Sequence, residues 1–363
     1  MKKEALFKRL HLVVDLPRYY WKSATDFGFH PAAALMLILR GLREGYWPEE
    51  AYRLGLLNPA IAASLRKLHV SKRAMVKVQR RLNPPAWENI LRDKGIFYRY
   101  CQAAGLPVPK LYGIYARGGR GWNIATPVLE SDQEWVQFFE RDCPSPFVVK
   151  PTLGRLGAGV MVLTRTGQGL VPPAGRVIAA SELVRHLSTH REFDGFVVQE
   201  RLRNHPALRT MVAGEGLATS RIISFLHADQ RCELLSADLK IVMKDNLTSN
   251  LSMGATGNMA GTVSLDDGRI LSAVAVLEGE GFVEVERHPE TGVPFRDARL
   301  PDWGAAKDLV VRAARTFLPV RTVGWDLAFT SSGPVLIEGN FFFDPPCSMF
   351  KGREVLRTLT SGL

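Results

Sequence analysis

The sequence lacks the features that mark several protein classes. Its apolar runs are brief: ALMLIL at 34–39 stops at Arg40, far short of the roughly 18 residues that cross a bilayer. The N-terminal MKKEALFKRLHLVVDLP interrupts its apolar residues with charge and has no small-residue cleavage pattern. It does not read as a secretory signal. Only four cysteines occur, Cys101, Cys143, Cys232 and Cys347, spaced too widely for a metal-ligand pattern. A disulfide scaffold and a zinc ribbon are excluded, and a reduced, cytoplasmic protein is expected. No glycine loop ends in Gly-Lys-Ser/Thr and none opens a helix, which removes the Walker and dinucleotide loops. Internal repeats, low-complexity tracts and a convincing Ser-His-Asp or Cys-His nucleophile are also missing.

Charge of either sign is balanced over most of the chain. Lys and Arg equal Asp and Glu, 28 to 28, beyond residue 100, but outnumber them 19 to 8 in residues 1–100. The net charge of +11 therefore sits wholly in the first hundred residues. Such a lobe attracts an acidic saccharide, a phosphorylated substrate or an anionic membrane surface. Nucleic acid is disfavoured, because the densest segment, Lys72, Arg73, Lys77, Arg80 and Arg81, lacks interleaved aromatics. A merely solvated basic face is the competing account.

With 363 residues, 46% of them hydrophobic, the chain can bury two or three cores. HPAAALMLILRGLREG, WPEEAYRLGLL and NPAIAASLRKLHVSK read as helices with Pro near the start. Pro84 to Gly105 reads as one helix closed by glycine. Ser131 to Asp142 carries a Ser-x-x-Glu capping box, and SELVRHLSTH reads as another capped helix. Residues 303–318 form one more. FVVKP, VMVL, FVVQE, TSRIISFL and CELLSADLKIVM read as strands, often next to strands in sequence. The expected class is α+β rather than a doubly wound parallel sheet.

Chemistry concentrates in Val320–Pro345. Two apolar strands flank TSSGP, a hairpin signature. Glu338 and Asn340 are two apart and share a strand face. A hairpin symmetric about Ser332 would set Asp326 opposite Glu338, within about 5.5 Å. Opposed carboxylates repel unless a cation joins them. Hard oxygens on a rigid sheet suit Mg²⁺. An acidic surface hairpin is the alternative.

Three further stretches complete the set. In FVVKPTLGRLGAGVMVL, Lys150 ends a strand and Gly154, Gly157 and Gly159 follow, making a hairpin able to close over phosphates. FVVQERLRNHP ends a buried strand at Gln199-Glu200-Arg201-Leu202, where a flat base edge could be read. Asn204 and His205 lie just beyond, within reach of a ribose. Arg221 and Lys240 sit in apolar strands and need a partner, either a phosphate or a buried acid. Asn250 and Gly254 lie in a polar loop, SNLSMGATGN.

In this order, DKGIFYRYCQAAGLPVP, FVVKP with its glycine flap, FVVQE, Arg221, SNLSMGATG and the Asp326…Glu338-Gly-Asn340 hairpin resemble the ATP-grasp superfamily. The likeness covers about residues 88–346 and is greatest to its sugar-transfer-associated branch, related to glutamate-ligase-like proteins. It implies an ATP-grasp fold, two α+β subdomains gripping ATP, over 86–363, with a lid at about 110–202 and a metal-binding part at about 203–346. Residues 1–85 would be a basic helical N-terminal region. It implies that Lys94 and Lys150 hold ATP phosphates beneath Gly154, Gly157, Ala158 and Gly159. Gln199, Glu200, Arg201 and Leu202 would bind adenine, with His205 near the ribose. Arg221, Lys240 and Asn250 would face the γ-phosphate or an acyl intermediate. Asp326, Glu338 and Asn340 would hold two Mg²⁺, which Mn²⁺ can replace. The implied reaction joins a small carboxylate to an amine or hydroxyl, including a sugar acceptor, through an acyl phosphate. A place in polysaccharide building, in the cytoplasm or at the inner membrane surface, goes with it. A phosphotransferase on the same nucleotide site and a non-catalytic ATP-binding module on an anionic surface stay open.

Overall fold

The computed structural model describes residues 15–363 apart from 29, 155–156, 213, 245 and 348–350. The reading of the extreme N-terminal stretch, and the flap positions Arg155 and Leu156, fall outside the described residues. Two seven-stranded antiparallel sheets carry the architecture, in keeping with the expected α+β class.

The first sheet contains β1 (Leu111–Ala116), β2 (Arg120–Asn123), β3 (Leu129–Glu130), β4 (Phe147–Pro151), β5 (Met161–Thr166), β6 (Gly169–Val171) and β7 (Gly195–Glu200). Their order is β3-β2-β1-β7-β4-β5-β6. Helices Asp132–Gln137 and Ala180–Thr189 accompany it, around a core that includes Tyr115, Trp135, Phe139, Phe147 and Phe196. Ser131 and Glu134 make the expected capping box. The second helix departs from expectation: it starts at Ala180, after Ala179, so Ser181 lies inside it and caps nothing.

The second sheet contains β8 (Thr219–Leu226), β9 (Cys232–Ile241), β10 (Met259–Val263), β11 (Ile270–Leu277), β12 (Gly281–Glu284), β13 (Thr322–Thr330) and β14 (Gly333–Asn340). The order is β12-β11-β10-β9-β8-β13-β14. Every residue of β13 is buried, which fits its mostly apolar sequence and makes Asp326 conspicuous within it. Helices Trp303–Thr316 and Lys94–Ala103 share the main core of this sheet.

A separate core joins helices Lys72–Leu82 and Lys351–Ser361 to Ile223, Phe225 and Phe343. Helix Lys72–Leu82 thus packs with the strands after residue 203, across the expected 85/86 boundary. Upstream, residues 15–26, Pro31–Glu44, Pro48–Arg53 and Ala62–Leu68 are helical, the second and third with Pro in the first turn. The last starts after a turn over 58–61, later than Pro59 implied.

The single helix expected over 84–105 is broken. A 3₁₀ turn at Pro85–Trp87 leads into Glu88–Arg92, and a second helix starts at Lys94. Asp93 is extended, and its Oδ1 accepts from the Ile96 amide at 3.0 Å. An Asx cap ends one helix and starts the next, which brings Lys94 to a helix start.

Candidate active site

The β13–β14 hairpin pairs Asp326 with Glu338, as the sequence implied, but by another route. Thr330 pairs with Gly333, so the turn holds only Ser331 and Ser332. A register shift between Asp326 and Leu327 leaves Ile337 as an extra residue, and that bulge restores the pairing. The freed Ile337 carbonyl accepts a 2.9 Å hydrogen bond from the Tyr98 hydroxyl. Glu338 and Asn340 line the cavity, and Gly339 between them borders it by its backbone while the position of its absent Cβ points at Leu91, Trp325 and Phe97. A Cβ there would lie 2.5 Å from Leu91 Cδ2. The Glu-Gly-Asn order therefore follows from one face holding ligands and the other touching a helix.

Asp326 is already engaged. Arg221, its register partner on β8, donates through Nε and Nη2 at 2.8 Å each, and Lys240 donates to Oδ2 at 2.6 Å. Burial pushes the Asp326 carboxyl up, but the two cations outweigh it and hold it well below the usual carboxylate range. Buried pairing is thus the partner that Arg221 and Lys240 find. Of the two partners left open by the sequence, the buried acid is the one in contact, and both cations also line the cavity.

Among the described residues no cluster of three His, Cys, Asp or Glu side chains is placed to hold a metal. The donor set that remains open is Glu338 and the Oδ1 of Asn340, whose Nδ2 donates to the Gly324 carbonyl at 3.0 Å. One carboxylate, one amide oxygen and substrate phosphates are a fitting set for Mg²⁺. Asp326 has three hydrogen bonds from its two cations to share with any metal it would help to hold.

Lys150, on β4 of the first sheet, and Lys94, at the start of helix Lys94–Ala103, both reach this hairpin. The Lys94 amide donates to the Thr152 carbonyl at 3.0 Å, and its Nζ to the Gly154 carbonyl at 2.9 Å. That Nζ lies 3.9 Å from Glu338 Oε2. Lys150 is buried and donates to the Tyr98 hydroxyl at 2.6 Å. Burial, helped by Lys94 and opposed by Glu338, lowers Lys150 to about 7. Lys150, Tyr98 and the Ile337 bulge form one chain between the two sheets.

The glycine segment between β4 and β5 lies over the cavity, with Gly154, Gly157 and Ala158 in its wall. Gly157 has φ +75° and touches the second sheet's side, since a Cβ there would sit 2.6 Å from Thr248 Oγ1. Gly159 has φ +70° and turns the chain without lining the cavity. Thr248 and Asn250 belong to a loop held by Asn258, which donates to both their carbonyls at 2.9 and 2.8 Å. Asn250 lines the cavity.

At the other end are Gln199, Glu200, Arg201 and Leu202. Gln199 is buried, and its Oε1 has no hydrogen-bond partner. An orphaned acceptor is costly unless a ligand donor meets it, and an exocyclic amine would. Glu200 is less free than expected, because its amide donates to the Lys110 carbonyl at 2.9 Å. Arg201 pairs with Glu215. His205 is not brought to the cavity. Its Nδ1 accepts from the Ala207 amide at 3.1 Å and starts the 3₁₀ helix Pro206–Met211. The local His-Pro turn uses the ring, so a ribose contact is not supported.

The cavity totals about 1600 Å³. One more wall was not foreseen as part of it: Lys72, Arg73, Lys77, Arg80 and Arg81, from helix Lys72–Leu82. Tyr98, Thr248 and Asn258 were also missed, because an ordinary helical Tyr and two loop residues carry no spacing signal.

Against known proteins, a family model described as sugar-transfer associated ATP-grasp matches residues 73–357. No curated protein matches the sequence. Among solved structures, the chain is similar to D-alanyl-alanine synthetase A from Vibrio cholerae O1 biovar eltor str. N16961, at 13% identity and TM-score 0.44, covering 77% of this chain and 67% of that one. It is similar to a RimK domain ATP-grasp protein from Sphaerobacter thermophilus DSM 20745, at 13% identity and TM-score 0.39, covering 75% and 66%. The ADP complex of purK, N5-carboxyaminoimidazole ribonucleotide synthetase, follows at 11% and 0.37, covering 70% of this chain and 45% of that one. The chain thus spans between 45% and 67% of the length of these three.

Proposed function

The chain belongs to the sugar-transfer associated ATP-grasp family, and on that premise we propose that it is an ADP-forming ligase joining a carboxylate to an amine or hydroxyl. ATP-grasp proteins use ATP and a divalent metal ion. The observation that carries the reading is the meeting of Lys94, Lys150, the glycine segment, Glu338 and Asn340 around one cavity.

Each group has a task that its surroundings suit. The orphaned Gln199 Oε1 accepts from the adenine amine. Lys94 and Lys150 offset phosphate charge, where a preorganised cation costs no reorganisation during reaction. Gly157 and Ala158 exclude water above the phosphates. Glu338 and Asn340 would hold Mg²⁺ or Mn²⁺, which supplies Lewis-acid neutralisation of phosphate oxygens when bound. Asp326 fixes Arg221 and Lys240 beside the site, so their positive charge stays available at close range to developing negative charge.

In the reaction a substrate carboxylate oxygen attacks the γ-phosphorus, the bond to the β-γ bridging oxygen breaks, and ADP leaves. An amine or hydroxyl then attacks the acyl carbon and gives up its proton, and phosphate departs with the electron pair and carries that proton or passes it to solvent. Catalysis is mostly alignment and charge neutralisation.

The test is an ADP-release screen with Mg²⁺ over amino acids, uronic acids and amino sugars, followed by product analysis. ADP with a new amide or ester is expected. ADP with a phosphate monoester would replace the ligase by a kinase, and release with no substrate dependence would overturn both.

A further inference from the structure

We infer that the cavity holds a second anionic group beside the nucleotide: a phosphoryl or diphosphate group of the co-substrate, seated on Arg73, Lys77 and Arg81. The inference rests on the nucleotide reading above and adds the chemical class of the other substrate.

Helix Lys72–Leu82 is two-sided. Met75, Gln79 and Leu82 are buried, whereas Arg73, Lys77, Arg80 and Arg81 are exposed. The spacing 73, 77, 80, 81 keeps the charges on one helical face. That face turns into the same cavity as Lys94, Glu338 and Asn340. Lys72 is spoken for by Asp344 at 2.6 Å, and Arg80 lies over the Phe342 ring at 5.4 Å. Arg73, Lys77 and Arg81 have no carboxylate partner among the described residues. Like charges at i, i+4 repel and weaken a helix, so a face of this kind needs a counter-charge from outside.

The helix is also mounted rigidly beside the proposed metal strand. Gln79 exchanges two hydrogen bonds with the Phe343 backbone, at 3.0 and 3.2 Å. Asn83 donates to the Thr322 and Phe341 carbonyls and accepts from the Arg321 and Thr322 amides. Phe341 and Phe342 directly follow Asn340, so this basic wall stands within a few residues of the strand that would hold the γ-phosphate's metal. Capacity agrees. A cavity of about 1600 Å³ exceeds the roughly 300–1,000 Å³ of a single small-molecule site.

A phosphoryl group accepts several charge-assisted hydrogen bonds at once, and a diphosphate spans more than one turn of a helix, so three cations along one face can share it. A neutral amine or a simple amino acid would leave them unanswered. The geometry therefore favours a co-substrate that carries a diphosphate, whose source is either nucleotide-linked or lipid-linked.

The experiment uses the full chain saturated with Mg²⁺ and a non-hydrolysable ATP analogue, titrated with inorganic diphosphate by calorimetry. One diphosphate should bind per loaded chain. Arg73→Gln/Lys77→Gln/Arg81→Gln should weaken it by about 30-fold or more, as expected for three lost surface charge contacts. The same variant should keep its analogue affinity and fold with an equal or slightly higher melting temperature, because the like-charge repulsion along the helix is gone. Displacement of the diphosphate by a soluble nucleotide-linked sugar, or by a polyprenyl diphosphate in micelles, identifies the source, and displacement by neither overturns the co-substrate assignment. Analogue binding with no second diphosphate, or equal diphosphate affinity in wild type and variant, overturns the inference alone. Failure of the analogue itself to bind overturns the nucleotide reading first.

Discussion

Lys150 donates a 2.6 Å hydrogen bond to the Tyr98 hydroxyl while both side chains are buried. With its value lowered to about 7 by burial, Lys94 adding to the effect, Lys150 carries only part of its charge at neutral pH. A phosphate beside it restores that charge. Binding of an Mg²⁺–nucleotide at pH 8 should therefore take up close to one proton, and uptake should shrink toward pH 6. Calorimetry in buffers of different ionisation enthalpy measures it, and Lys150→Met should remove it. The free protein should show the matching stability trend. An unfolded lysine titrates near about 10.4, so the unfolded chain binds more protons between the two values. This group's destabilising effect is full below about pH 7 and fades as pH rises toward about 10.4.

Asp326 is the counter-charge of Arg221 and Lys240. Asp326→Asn strands two cations near the cavity floor. A loss of about 3–5 kcal/mol in urea unfolding is expected, the cost of breaking a buried pair from one side. Because the folded carboxyl is held well below the usual range, its contribution is complete above the unfolded value of about 3.9 and is lost only as pH falls through the lower, folded one. Unchanged stability in the variant would mean that the cations have other partners.

Glu338→Gln keeps shape and removes the carboxylate of the proposed metal site. It should leave the melting temperature unchanged and weaken Mg²⁺-dependent nucleotide binding about tenfold or more, equivalent to about 1.4 kcal/mol. Nucleotide affinity in the presence of a chelator should move little. Equal losses with and without metal would point to a charge effect on Lys94 instead.

Gly157→Ala meets two obstacles, a positive φ and the Thr248 hydroxyl. An L-residue there costs about 1–2 kcal/mol. The nucleotide dissociation rate should rise about 5- to 30-fold in stopped-flow measurements. Adding Thr248→Ala should recover part of the loss, since it removes the colliding atoms but not the backbone strain.

Legibility followed physical locality. The capping box at Ser131 and the β13–β14 pairing rest on residues near in sequence, and both could be read. Even so, the pairing was reached through a bulge at Ile337 that periodicity does not encode. The break at Asp93 was hidden because an Asx cap inside an apolar pattern resembles a solvated acid. Strands β10 to β12 and helix Lys351–Ser361 gave weak local signals. Which acid would meet Arg221, and which cavity would receive Lys77, depend on contacts between segments more than a hundred residues apart. Composition reported only that the charge existed.

Gln79 and Asn83 attach the basic helix to the strands that carry Glu338 and Asn340, whereas Lys150 and the glycine segment ride on the opposite sheet. Any swing of one sheet against the other thus carries the cover and its lysine away together. The landing place for the second substrate stays registered to the hairpin throughout. On the proposed reading, nucleotide would leave without dismantling that dock, and a second substrate would keep its place from one turnover to the next.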